Sequence, residues 1–149
     1  MLRVDVRAAV EGDRAQWLRM RGALWPDAVA DHDAEIRGYF SARRHQWVTF
    51  VAEVDGRLVG FLELDQRTYA PGCRTSPVPF IDGWYVDREF RRRGVGRALV
   101  AAAEAWSRSA GHDEIASDVD LSNVEGKAAH RALGYSEVER IVCFRKALI

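Results

Sequence analysis

The sequence predicts an α/β protein built on a mixed β-sheet. The expectation rests on a hairpin, a strand–loop–helix step and an alternating N-terminal segment. Residues 47–54 and 58–64 are rich in β-branched and aromatic side chains, and Asp55-Gly56 between them is a two-residue hairpin signal. Residues 80–86 form a further apolar run, followed by a loop with Gly94 and Gly96 and then an Ala- and Leu-rich stretch from Ala98 to Trp106. Near the start, Leu2, Val4 and Val6 alternate with Arg3, Asp5 and Arg7, the period of a half-buried strand.

In chain order, a strand is expected over residues 2–8, followed by a turn at Glu11-Gly12-Asp13 with Asp13 as helix N-cap. Trp17, Leu18, Met20, Arg21 and Leu24 then give an amphipathic helix that stops before Trp25-Pro26, because proline disfavours helix in the residue preceding it. A second helix is expected over residues 33–43, with Ile36, Tyr39 and Phe40 on one face. The hairpin follows. Residues 65–79 contain Pro71-Gly72, Ser76-Pro77 and Pro79 and read as a long functional loop. After the strand–loop–helix step, Gly111 ends the long helix and residues 114–118 read as a strand. A short helix over residues 123–133 stops at Gly134, and residues 136–147 read as one or two closing strands.

The 149 residues fit one domain, 1–149, with a sizeable core. Lys plus Arg and Asp plus Glu are both 22, which argues against broad binding to nucleic acid or membrane surfaces. Cys73 and Cys143 lack metal-ligand spacing and read as free thiols, Cys143 within the core. No metal site is expected. The N-terminus carries no signal peptide and no stretch could span a bilayer, so a cytoplasmic location is the expectation.

The loop at 87–97 is the most informative stretch. Strand, glycine-containing loop and helix N-terminus make a phosphate-binding arrangement: Gly94 and Gly96 admit an anion close to the backbone, and the first helical turn directs unpaired N–H groups at it. Arg91, Arg92, Arg93 and Arg97 add guanidinium donors. Without an anion these side chains and Arg88 would repel one another; the alternative is a solvated basic loop capping a helix. The P-loop pattern is absent. The dinucleotide fingerprint is half met, with Leu99 in place of its third glycine, although Asp118 could imitate its ribose-binding acid.

Arg91-Arg92-Arg93-Gly94-Val95-Gly96 resembles the pyrophosphate signature R/Q-x-x-G-x-G/A of the GCN5-related N-acetyltransferases (GNAT), and the order of elements is similar over essentially the whole chain. The resemblance implies a mixed, mostly antiparallel central sheet flanked by helices, and acetyl-CoA as cosubstrate. It also implies that residues Arg92 to Arg97 surround the pyrophosphate, and that the backbone of Trp84, Tyr85 and Val86 lies along the pantetheine and acetyl group.

Acetyl transfer to an amine needs a proton acceptor for the ammonium, a donor for the developing negative charge, and a proton for the leaving thiolate. No local Ser-His-Asp or Cys-His pattern stands out, which favours direct transfer. Asp82 lies inside an apolar strand, where a carboxylate either faces outward or is paired or functional. Asp118 ends the next strand, where it either serves a turn or joins Asp82 around an amine. Asn123 can cap the last helix. In the family an Asn there usually bonds the pantetheine arm, and a Tyr seven residues on is thought to protonate the thiolate. This chain carries His130 instead, either a structural residue or the acid.

Acids follow Trp25-Pro26 at Asp27, Asp31, Asp33 and Glu35, and recur through the final third from Asp113 to Glu139. Lining a cleft, they would select a cationic acceptor. Short motifs spread along the chain, among them Leu24-Trp25-Pro26, Phe80-Ile81-Asp82-Gly83 and His130-Arg131-Ala132-Leu133-Gly134-Tyr135, resemble the aminoglycoside 6'-N-acetyltransferases of the chromosomal type. That resemblance implies antibiotic contacts at Trp25, Tyr69, Asp82, Asp118 and Glu139, a homodimer, and a departure at Asp82, where Glu is common. Another amine acceptor, or an acyl-CoA-binding module without catalysis, remains the alternative.

Overall fold

A computed structural model describes residues 2–28, 30–42 and 47–149. Its centre is a five-stranded sheet in the order β1 (Asp5–Ala8), β2 (Val48–Val54), β3 (Arg57–Arg67), β4 (Val78–Val86) and β5 (Ala116–Ser117). The first four strands pair antiparallel and β5 lies parallel to β4, which makes the sheet mixed and mostly antiparallel, as expected. The helices are α1 (Arg14–Leu24), α2 (His32–Ser41), α3 (Val95–Ser109) and α4 (Val124–Ala132).

Both faces of the sheet are covered, so β2 to β4 read as nearly continuous apolar runs. On one face α3 sets Val95, Leu99, Val100 and Ala103 against Val59, Leu62, Leu64 and Ile81. On the other, Trp17 and Met20 of α1 and Ile36 and Tyr39 of α2 pack on Val51, Leu58 and Phe61. The β2–β3 turn places Asp55 at φ 49 and Gly56 at φ 79, the left-handed pair that a tight hairpin of this twist requires.

Several expectations are corrected. The first strand begins at Asp5 rather than Leu2, and β3 continues through Arg67, into the stretch read as loop. Asp13 makes no side-chain cap on α1; its carboxylate accepts from the Val10 N–H at 2.8 Å and pairs with Arg7 at 2.7 Å. Helix α2 starts at His32; Arg43, the expected end, lies outside the described residues.

The larger correction is at the chain end, where residues 136–149 form no strand and Cys143 is exposed rather than core. The apolar run Ile141 to Phe144 suits a strand, but a strand also needs an edge with which to pair. Here β5, at Ala116–Ser117, is too short to hold one.

Candidate active site

β4 and β5 pair only at Phe80↔Ala116 and Ile81↔Ser117. Beyond Ile81 the two strands part; residues 83–86 keep their pairing to β3 alone, and Asp82 falls at a register shift with no partner in that ladder. A cavity of about 320 Å³ occupies this opening. Its walls come from the end of α1 (Leu24, Trp25), from β4 (Asp82, Gly83, Trp84), from the segment after β5 (Ser117, Asp118, Val119, Asp120) and from α4 (Asn123, Gly126, His130). Residues far apart in sequence therefore meet because the sheet splays.

At the open end of β4 the chain turns through Arg88–Phe90 into the arginine loop. Arg92 takes φ 60 and Gly94 φ 89, so the loop holds two left-handed residues immediately before α3. The first intrahelical bond of α3 runs from Ala98 N–H to the Gly94 carbonyl at 3.0 Å. The N–H groups of Val95, Gly96 and Arg97 precede it and point out of the helix end. Arg92, Arg93 and Arg97 are exposed around them. Arg91 differs: its Nε donates to the Val86 carbonyl at 2.8 Å, tying the loop back to β4. Asp87, 3 % exposed, anchors the same corner by accepting from Arg19 at 3.0 Å and from the Tyr85 hydroxyl at 2.9 Å.

The fit of a CoA thioester can be judged from the residues themselves. Gly96 lies so close to Trp84 that a Cβ would stand 3.1 Å from the indole. The indole Nε1 is buried without a hydrogen-bond partner, the sole such side-chain atom among the described residues. Tryptophan only donates, so a buried indole N–H calls for an acceptor. An anion cradle at the α3 N-terminus, a parted pair of strands and a buried donor between them suit a long phosphorylated arm carrying amide oxygens. At the other wall, Asn123 caps α4 by accepting from Gly126 N–H at 2.8 Å, which is the structural role weighed for it, and it also lines the cavity.

Asp82 is half-buried and accepts from Arg67 Nη2 at 2.6 Å. Burial pushes its carboxyl up to about 6; Arg67 opposes that shift and Asp65 adds to it. Asp118 is exposed at the cavity mouth. His130 donates from Nδ1 to the Gly126 carbonyl at 2.6 Å, so its Nε2 is free to accept from the Ser117 hydroxyl at 2.8 Å. Its ring stands edge-on to Trp84 at 5.3 Å.

The structure thus brings Trp25, Asp82, Trp84, Asp118, Asn123 and His130 together around one cavity. It does not bring Tyr69 or Glu139 there: Tyr69 is 70 % exposed on its loop, and Glu139 is exposed in the C-terminal segment. Five of the acids thought to face an acceptor have other work. Glu114 accepts from the backbone of Arg74 and Thr75, Asp31 caps α2, Asp33 pairs with Arg14, Glu35 with Arg21, and Glu137 with Arg131 and Arg140. Sequence reasoning missed Ser117, Arg67 and the Trp84 side chain. Only the proximity of Ser117 to Asp118 hinted at any of them.

Splayed parallel strands with an arginine- and glycine-bearing loop leading into a helix define an acyl-CoA-dependent acetyltransferase fold, and residues 14–135 match the acetyltransferase (GNAT) family model. The chain belongs to that family. It is 44 % identical over 146 residues to an aminoglycoside N(6')-acetyltransferase type 1 of Klebsiella aerogenes, covering 96 % of each chain. Among solved structures it resembles AAC(6')-Iy in complex with the bisubstrate analog CoA-S-monomethyl-acetylneamine, at 35 % identity and TM-score 0.90 over 97 % of this chain and 99 % of that one. It also resembles AAC(6')-Iy in complex with CoA, at 34 % identity and TM-score 0.90 over 98 % and 96 %. Among the described residues no helix is long and apolar enough to cross a membrane, and no group of three His, Cys, Asp or Glu could hold a metal.

Proposed function

We propose that this chain is an acetyl-CoA-dependent N-acetyltransferase acting on the 6'-amine of aminoglycosides, by direct transfer within a ternary complex, and that it confers resistance to them. The observation that carries the reading is the gathering of Asp82, Asp118 and Asp120 with Trp25 in one cavity beside the arginine loop. Carboxylates at a cavity mouth attract a polycation, and an indole wall suits the apolar face of an amino sugar. The relatives named above give the same reading.

The cosubstrate brings an activated acetyl group; the chain's residues do the rest. The exposed arginines and the first turn of α3 bind the pyrophosphate. The backbone of Trp84, Tyr85 and Val86 runs along the pantetheine arm, joined by Asn123, and donors in it steady the negative charge that develops on the acyl oxygen. Asp118 and Asp82 orient the ammonium and take its proton, directly or through water. His130 takes up at Nε2 a proton released by the attacking amine, its Nδ1 staying on the Gly126 carbonyl, and passes it on through the Ser117 hydroxyl to the leaving thiolate. Tyr69 and Glu139 act on the acceptor from outside the cavity of a single chain.

We also infer one domain over 1–149, a homodimer and a cytoplasmic location. What supports the dimer is the C-terminal segment, which exposes Val138, Ile141, Val142, Phe144, Leu148 and Ile149. Monomers rarely show so continuous an apolar stretch to water. Light scattering of the purified protein tests this: a monomer at micromolar concentration would refute it. A location in the cytoplasm fits a reaction that draws on acetyl-CoA.

The catalytic reading is tested by thiol release from acetyl-CoA with kanamycin and with a matched compound bearing a 6'-hydroxyl. Release with the 6'-amine alone is the expected result. Release with neither, despite measurable acetyl-CoA binding, would move the acceptor to another class of amine or leave a binding module.

A further inference from the structure

We infer that His32 is a positioning residue for the acceptor: with Arg21 it fixes the indole of Trp25 as a wall of the cavity. The inference rests on the acceptor reading of that cavity.

Trp25 is the first residue past α1, with φ −125 and ψ 67, so its backbone has left the helix and does not by itself hold the ring in place. Its N–H donates to the Arg21 carbonyl at 2.9 Å. Its own carbonyl is met by His32 Nε2 at 3.2 Å, and His32 Nδ1 is met by Arg21 Nη1 at 3.2 Å. A carbonyl only accepts and a guanidinium only donates, so the imidazole is the neutral tautomer with its proton on Nε2. His32 is thus a two-sided bridge from Arg21 to the backbone of Trp25.

The bridge has a rigid foundation. Arg21 is 6 % exposed and grips Glu63 of β3 through Nε at 2.7 Å and Nη2 at 3.1 Å. Glu63 also accepts from Trp17 Nε1 at 2.9 Å, and Glu35 of α2 pairs with Arg21 at 2.6 Å. A bidentate, charge-assisted pair of this kind has one geometry. The Arg21 guanidinium lies 5.1 Å from the Trp25 ring centroid, and the His32 ring stacks on the indole at 6.1 Å and 23°.

The opposite side is also fixed. Phe61 of β3 meets the indole edge-on at 6.3 Å. Gly83 of β4 lets the ring descend onto the sheet: a Cβ there would stand 2.6 Å from Trp25 Cη2. Gly83 is the neighbour of Asp82, so the indole and that carboxylate share one strand as their reference. None of the residues holding Trp25, apart from Gly83, lines the cavity. Such a wall sets the pose of the acceptor, and with it acceptor selectivity, while the arginine loop and the α3 N-terminus are untouched.

The test is steady-state kinetics with kanamycin as acceptor on wild type, His32→Phe, Gly83→Ala and Trp25→Ala, with calorimetric titration of acetyl-CoA on each. His32→Phe keeps a stacking ring and removes both hydrogen bonds. The expected result is a rise of about fivefold or more in the acceptor KM, a smaller change in kcat, and an acetyl-CoA Kd within about twofold of wild type. Gly83→Ala is expected to act in the same direction by lifting the ring, which keeps the inference open to refutation should His32→Phe fold poorly. An acceptor KM within about twofold of wild type in both variants, while Trp25→Ala raises it, overturns the positioning role alone. An unchanged KM in Trp25→Ala as well would remove the acceptor from this wall and with it the reading on which the inference rests.

Discussion

Arg67 donates to Asp82 at 2.6 Å, so this half-buried carboxylate lining the cavity already has a cation beside it. The guanidinium is held in place by the face of Phe80, 3.5 Å beneath it. An incoming ammonium must share or displace this partner. Burial still dominates, raising the Asp82 carboxyl to about 6.

A raised carboxyl pKa gives acceptor binding a pH dependence of definite sign. Below about 6 Asp82 is protonated and attracts no ammonium; above it the carboxylate forms. With the acceptor amines cationic throughout, kcat/KM for kanamycin is expected to rise between pH 5 and 7. Asp82→Asn removes that limb. Arg67→Gln deletes the group that opposes the shift, so the limb moves to higher pH. A limb that stays in place in both variants assigns it to another residue.

Asp118 sits exposed at the mouth of the cavity. Asp118→Asn is expected to lower kcat by about 10²-fold, the scale of a lost general base, while acetyl-CoA binds as before. Unchanged turnover in stopped-time thiol assays would remove Asp118 from the chemistry.

His130 has one ring nitrogen tied to the Gly126 carbonyl, and the other engages Ser117. His130→Gln therefore keeps a polar side chain and loses the proton carrier. A fall in kcat of about 10²-fold with little change in either KM is expected. Should His130 be structural, kcat would persist and the melting temperature would fall instead.

The buried indole N–H of Trp84 makes a two-part prediction. Trp84→Phe removes an unpaired buried donor, so the ligand-free protein keeps its melting temperature or gains a little. The same change removes a donor from the bound arm and weakens acetyl-CoA binding about five- to tenfold, about 1 kcal/mol. Equal affinity by calorimetry would show that the indole faces no acceptor in the complex.

Local chemistry made much of this protein readable in advance. Asp55-Gly56 specifies a tight hairpin through its backbone preferences alone, and proline at position 26 stops α1 at Leu24. Gly94, Gly96 and the arginines around them announce an anion site because helix N-termini and guanidinium groups bind phosphate wherever they occur. Asn123 declared itself a cap before the structure placed its oxygen on the Gly126 N–H.

Only the tertiary structure decided which residues share the cavity. Trp25, Asp82, Asp118 and His130 converge because β4 and β5 part after Ile81, and strand pairing across such distances leaves no local trace. It also decided the pairing of charges: Arg67 on Asp82, Arg21 on Glu63 and Arg7 on Asp13 are contacts between elements, invisible to periodicity. The closing strands failed for the same reason in reverse. Residues 136–147 carry a short apolar run, Ile141 to Phe144, that reads as a strand, but a strand exists only against a partner edge, and β5 in this chain offers too little of one. Sequence thus determined the elements and the arginine loop, whose causes are local; the cavity and the contacts that support its walls arise at long range, which only folding brings about.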